Sequence, residues 1–233
     1  MRLAAIVAAA SIGLSVSVPT VAAPAKIIVL RHGEKHNSWE LCATGQARAA
    51  ALVKTYLGKG AAESLFAAGE APAAIFAITP HTLELIAPSA ATWSMPVSIF
   101  PVLPAPHQTK EEEAVLLNGQ TRTAAAAVLN DPRFTGKTVV MAWEHDHIAN
   151  AKLEQRFAPE KVTLRQLLGL ERFADVPATW PGENYDYFWI VEFTPGSSTP
   201  ASFRMQKQIF PAGAGVPSND WGAAQTLPDS CIK

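Results

Sequence analysis

The stretch Lys26-Ile27-Ile28-Val29-Leu30-Arg31-His32-Gly33-Glu34-Lys35 decides how this chain is read. Residues 27–30 are uninterrupted apolar positions, mostly β-branched, and predict a strand buried on both faces as in a parallel sheet. The run stops at a cation, an imidazole and a glycine. Open α/β sheets bind ligands beyond the carboxyl ends of their strands, so Arg31 and His32 would arrive together where an anion and a nucleophile are useful. Gly33 has no Cβ and lets backbone approach a ligand closely. An isolated Arg-His pair is equally compatible with a strand ending in solvated charge, so the rest of the chain must decide.

Upstream, residues 1–23 read as a signal peptide. Arg2 supplies a short positive start, residues 3–16 are almost wholly apolar or small, and Val21-Ala22-Ala23 offers small residues before Pro24. The run is shorter than the roughly 20 residues of a spanning helix, and no cysteine near it invites a lipid. The expectation is an exported protein, periplasmic or secreted, without a stable membrane anchor. About 210 residues then remain, enough for one substantial core. Residues 24–233 are read as a single domain with a less regular C-terminal third. With 48% hydrophobic and 17% charged residues and a net charge of −1, the composition is that of an ordinary globular protein. No basic run interleaved with aromatics points to nucleic acid. Cys42 and Cys231 are the chain's only cysteines. In an exported protein an even count favours a disulfide, with two separate thiols as the alternative.

Downstream, residues 36–41 read as a loop. A helix follows with Thr44 as its N-cap and Ala49, Leu52, Val53, Tyr56 and Leu57 at helical spacing. Residues 73–78 predict a second strand. The next helix carries Leu83, Ile86, Ala87 and Ala90 on one face and is bent at Pro88. Residues 97–100 predict a short third strand. Asn118 then reads as the cap of a helix bearing Thr121, Ala124, Ala125 and Val128, ended by Asp131-Pro132. Residues 137–142 predict a fourth strand. Strands alternating with helices imply an α/β fold, a mostly parallel sheet with helices on both faces. Further on come a short helix around Leu164, Leu167 and Leu168, and two antiparallel edge strands at 187–193 and 202–209.

Arg31-His32-Gly33-Glu34 resembles the signature of the histidine phosphatase superfamily, which includes phosphoglycerate-mutase-like and acid phosphatases. Leu41-x-x-x-Gly45-x-x-Arg48-Ala49 resembles the helix start that follows it. Val139-Val140-Met141-Ala142-Trp143-Glu144-His145-Asp146 resembles the strand carrying that family's second histidine. The three matches occur in the family's order. The resemblance implies a three-layer α/β/α sandwich and a metal-independent phosphomonoesterase with no cofactor, acting on a small phosphomonoester. It assigns His32 as the nucleophile that forms a phosphohistidine, Arg31 as a phosphate ligand, and His145 as the second pocket histidine. Asp146 would protonate the leaving group, with Glu144 and the run Glu111-Glu112-Glu113 as alternatives, although such a run more often marks a solvated loop or helix start. One departure stands out: His81 falls where the family usually carries a second phosphate-binding arginine. A histidine lacks the two-pronged donor and permanent charge of arginine. Lys35 and Arg122 are other candidates for that cation, while Arg48, inside the first helix, reads as structural.

Three rivals remain, two implied by the resemblance and one read from residue spacing. Loss of the second arginine fits a non-catalytic phosphate-ester binding protein of the same fold. A mutase fits the resemblance less well, because its sugar-phosphate substrates are intracellular. The cluster Glu144-His145-Asp146-His147 suggests a metallohydrolase, yet no H-x-x-x-H or H-E-x-x-H spacing is present, so no metal ligand is assigned. Substrate identity and oligomeric state are not legible at this level.

Overall fold

The computed structural model describes residues 23–228 and 230–232; the expected leader lies outside them except for Ala23. Strand β1 (Lys26–Arg31) is central, as its composition requires. Ile27, Ile28, Val29 and Leu30 are all essentially inaccessible to solvent. Burying side chains of this size contributes about 1.5–3 kcal/mol each. Their alternation feeds two cores. Ile27 and Val29 pack with Leu117, Ala124, Ala125 and Val128 of one helical layer. Ile28 and Leu30 pack with Ala49, Leu52, Leu85 and Ile86 on the other side.

The elements around it are helix α1 (Ala43–Leu52, continued by one wider turn at Val53–Leu57), β2 (Ala74–Ala77), α2 (Pro80–Thr92), β3 (Ser98–Ile99) and α3 (Lys110–Asn130). Then follow β4 (Thr138–Trp143), the short helices α4 (His145–Ile148), α5 (Ala151–Arg156) and α6 (Leu164–Leu167), and strands β5 (Tyr187–Phe193) and β6 (Pro200–Lys207). The chain is an α/β protein with a mixed six-stranded sheet in the order β3-β2-β4-β1-β5-β6. Strands β3, β2, β4 and β1 run parallel, whereas β5 lies antiparallel to β1 and β6 antiparallel to β5.

Register places the site. Arg31 is level with Trp143, and Ala77 of β2 is level with Ala142. Three parallel strands therefore release Arg31-His32, Ile78-Thr79 and Glu144-His145 at one edge. Antiparallel β5 brings Tyr185, just before its start, to the same end. No described helix is long and apolar enough to cross a membrane.

Three local expectations need correction. Helix α1 is entered from Cys42, so Thr44 lies in its first turn rather than at its cap. Helix α3 begins eight residues before Asn118. Its N-cap is Thr109, in a reciprocal capping box with Glu112, and Glu111, Glu112 and Glu113 occupy its first turn, where the helix dipole favours acids. Asn118 is instead a buried mid-helix residue whose Oδ1 lies 3.0 Å from His147 Nε2. The third strand shrinks to two exposed residues. Pro88, by contrast, does lie inside α2.

The signature loop is locked to α1. A Cβ at Gly45 would lie 2.3 Å from the carbonyl oxygen of Glu34, so only glycine permits that approach. Arg48 Nε and Nη2 donate to the two carboxylate oxygens of Glu34 at 3.0 and 2.6 Å, and Gln225 Nε2 adds a third bond at 3.3 Å. Glu34 and Arg48 thus form a buried structural pair. Cys42 and Cys231 are joined in a disulfide. Beside it, Ile232 N donates to Lys35 O at 2.7 Å, so the C-terminal segment lies against the signature loop.

Candidate functional site

His32 is fully buried at the carboxyl end of β1. Its Nδ1 lies 2.7 Å from Gly33 O, and a carbonyl only accepts, so the ring proton sits on Nδ1. The lone pair on Nε2 then faces the site. Three groups surround that atom: Arg31 Nη2 at 3.0 Å, His145 Nδ1 at 3.3 Å and Glu144 Oε2 at 3.4 Å. Burial, then the charges of Lys35 and Arg31, push the His32 pKa well below its ordinary value despite the Gly33 bond. At neutral pH it is an uncharged imidazole with an available lone pair.

Arg31 is the cation of this group, and the loop at 181–184 holds it. Its Nη1 donates to the carbonyls of Pro181 (3.2 Å), Gly182 (2.8 Å) and Asn184 (3.3 Å). The guanidinium carbon stacks 3.9 Å from the ring centre of Tyr185. Among the described residues no carboxylate lies within ion-pair distance of Arg31. Burial lowers its pKa, but a guanidinium stays charged in proteins. A buried cation held by dipoles and a π-face, with no counter-charge of its own, is a site for an anion.

Glu144 follows β4. Thr79 Oγ1 donates to its Oε1 at 2.7 Å, and Lys35 Nζ lies 3.6 Å from Oε2. Burial alone would raise its pKa, but Lys35, the Thr79 hydroxyl and the neighbouring histidines bring it down to about 2. At neutral pH Glu144 is a carboxylate. His145 presents Nδ1 to His32, while its Nε2 lies 3.6 Å from Asp146 Oδ1. Burial, with the charges of Arg31 and His32 next, pushes the His145 pKa well below its ordinary value. Asp146 is half exposed and accepts from Asn150 Nδ2 at 2.7 Å.

His81 sits in the first turn of α2, its ring centre 6.2 Å from that of His32. Its Nε2 lies 2.6 Å from Asn37 O, which requires the proton on Nε2. Burial lowers its pKa, and its buried Nδ1 has no hydrogen-bond partner. A neutral His81 in this tautomer carries a lone pair, not a charge. Arg122 lies on the surface against Glu160, away from the cleft. Lys35 instead lines the two adjoining cavities at this edge, of about 600 and 370 Å³.

The structure therefore gathers Arg31, His32, His81, Glu144, His145 and Asp146 at one sheet edge. Sequence reading missed the roles of Thr79 and Tyr185. Neither sits in a recognisable motif, and only the register of β2 and β5 against β1 and β4 brings them here. His147, from the supposed metal cluster, pairs with Asn118, and burial takes its pKa down to about 4.

The ligand atoms of His32, Glu144 and His145 do lie within 4.8 Å of one another, a set that linear spacing hides because His32 comes from another strand. These donors suit a divalent transition metal by type. The guanidinium 3.0 Å from His32 Nε2 and the ammonium beside Glu144 oppose a cation there by charge. The arrangement fits an anion better than a metal. A scan against protein-family models matches no family, and a search of curated proteins finds no match.

Proposed function

We propose that the chain is an exported, metal-independent histidine phosphatase that hydrolyses phosphomonoesters through a phosphohistidine on His32. One observation carries this reading. An unprotonated imidazole nitrogen and a buried guanidinium that has no ion pair among the described residues share one point, 3.0 Å apart, at the carboxyl edge of the sheet. We read the fold in its finer form as an α/β/α sandwich with a mostly parallel sheet, and two features support that reading. Helices α1 and α2 lie against one core and α3 and α6 against the other, and β3-β2-β4-β1 form a continuous parallel set. The disulfide is in keeping with export.

In the proposed reaction His32 Nε2 attacks phosphorus in line, and the phosphorus–nitrogen bond forms as the ester bond breaks. Arg31 and Lys35 hold the non-bridging oxygens. His145 then faces acceptors on both nitrogens, a phosphoryl oxygen at Nδ1 and Asp146 at Nε2, so the bound dianion draws a proton onto it. Water next attacks phosphorus and gives a proton to the Glu144 carboxylate left by the first step, the phosphorus–nitrogen bond breaks, and inorganic phosphate leaves with His32 restored. The test is hydrolysis of p-nitrophenyl phosphate by the mature chain. Turnover should survive dialysis against a chelator and be inhibited by vanadate. Loss on chelation with recovery on added zinc would replace this reading with metal-dependent hydrolysis.

The geometry puts Glu144, not Asp146, closest to His32, and we assign it the proton given to the leaving alkoxide. Incoming phosphoryl charge would raise its depressed pKa toward the working range. Nitrophenolate leaves without an acid, whereas an alkoxide needs one. Glu144→Gln should therefore lose about 10²–10⁴-fold on an alkyl phosphate and much less on p-nitrophenyl phosphate. The same split in Asp146→Asn, with Glu144→Gln lacking it, would return the role to Asp146. A second reading, a non-catalytic phosphate-ester binder, is favoured by the neutral, carbonyl-tied state of His81. Binding of phosphate esters without turnover of any would establish it.

A further inference from the structure

Deepening that reading, we propose that the substrate is a non-aromatic phosphomonoester bearing a second anionic group, and that Lys110 and Lys152 receive that group. The cleft of about 600 Å³ that contains His32 extends past the phosphate site to the start of α3 and the face of α5. Lys110 is the first residue of α3 and Lys152 lies in α5, and both line the cleft. Among the described residues neither side chain has an ion pair or hydrogen bond. Arg156, farther along α5, is already neutralised by Glu111. Two lysines with no partner among the described residues thus line the same cleft as the reacting group.

Charges of opposite sign on the same cleft do not cancel this in equal measure. Glu144 is engaged by Thr79 and Lys35, and Asp146 by Asn150 and His145. Glu183 also lines the cleft and is not free, and Glu113, one turn along α3 from Lys110, is the acid that would compete for the second anion. The walls also restrict the leaving group. Among the described residues lining the cleft there is no Phe, Tyr or Trp, and its histidine rings belong to the reacting centre or to the pair with Asn118, so a nucleobase lacks a large aromatic platform of the kind that contributes about 1–3 kcal/mol per base. The apolar lining is limited to small aliphatic surface from Ala114, Leu117 and Leu153. A compact chain with an anion at each end fits these walls.

Calorimetry on a His32→Ala background, which blocks turnover, tests the assignment with hexanediol bisphosphate, hexanediol monophosphate and adenosine monophosphate. Two contacts to exposed ammonium groups should favour the bisphosphate over its monophosphate by about tenfold, shrinking as salt is added. Lys110→Gln with Lys152→Gln should reduce that preference to within about threefold, and Glu113→Gln should increase it. Adenosine monophosphate should bind no more tightly than hexanediol monophosphate. Equal affinity for the two hexanediol esters would overturn the inference while leaving the phosphate-ester reading in place. So would a bisphosphate preference that survives both lysine replacements, or clearly tighter binding of the nucleotide. Failure of all three compounds to bind would overturn the phosphate-ester reading together with the inference.

Discussion

His32→Ala is expected to abolish both turnover and acid-labile, base-stable phosphate trapped on the protein after a brief quench with a phosphomonoester. By analogy with removal of an acylated nucleophile, the loss should be on the order of 10⁴–10⁶-fold. The expectation follows from the environment of one atom. Gly33 O fixes the proton on Nδ1, so Nε2 presents its lone pair toward Arg31, His145 and Glu144. His32→Asn is the companion variant. Its side-chain amide can still donate toward Gly33 O and fills part of the space, so a loss shared by both variants is not a folding effect. Near-native turnover in either variant with native thermal unfolding would move the nucleophile elsewhere.

The same environment sets a pH dependence. Burial and the charges of Lys35 and Arg31 hold the His32 pKa well below its ordinary 6.5. The nucleophile therefore stays neutral as pH falls through 6.5, and the acid limb of kcat/KM belongs below that value once substrate ionisation is allowed for. Stability takes the opposite course. The folded pKa is lower than the unfolded one, so unfolding takes up a proton between the two values. This group's contribution to stability is full above the unfolded pKa and declines as pH falls toward the folded one.

What the sequence reveals of this site divides along local and non-local lines. β1 is legible because residues 27–30 need two apolar neighbours, and the structure supplies two cores. Arg31-His32 and Glu144-His145 are legible as strand-end residues, but their meeting depends on the pairing of Arg31 with Trp143, which is a matter of register. The start of α3 was misplaced by attending to residue type alone. Asn118 is a good cap in the abstract, yet the Thr109–Glu112 box lies earlier and claims the helix. His81 illustrates the deeper limit. Its position near His32 follows from the resemblance, but its protonation follows from the backbone carbonyl of Asn37 in a loop with no motif. No pattern of side chains announces where a carbonyl will point.

That carbonyl also decides where the second cation of the site is. Under the resemblance, a histidine at position 81 in place of a second arginine would mean a weakened phosphate clamp, with Lys35 as one replacement. In the structure Lys35 is held by its backbone from both sides, bridged to Leu41 and to Ile232. Its ammonium reaches Glu144 at 3.6 Å and its side chain is only 20% exposed, so desolvation strengthens what it does to an incoming anion. His81 would need to acquire a second proton, against burial, to act in the same way. Lys35→Met should therefore lower kcat/KM by about 10²–10³-fold, the loss seen when a single oxyanion-stabilising donor is removed, and weaken vanadate binding in parallel. Part of that loss has a second source. Without Lys35 the Glu144 carboxylate loses a principal cause of its depressed pKa, so its titration should move upward in the variant. His81→Gln, which can keep the bond to Asn37 O through its amide, should change kcat/KM by no more than a few-fold, within the range of about 1 kcal/mol for one neutral hydrogen bond. A loss in His81→Gln equal to that in Lys35→Met, with unfolding unchanged, would put the working cation at position 81. The two variants therefore separate a clamp built from Arg31 and Lys35 from one that recruits a protonated histidine.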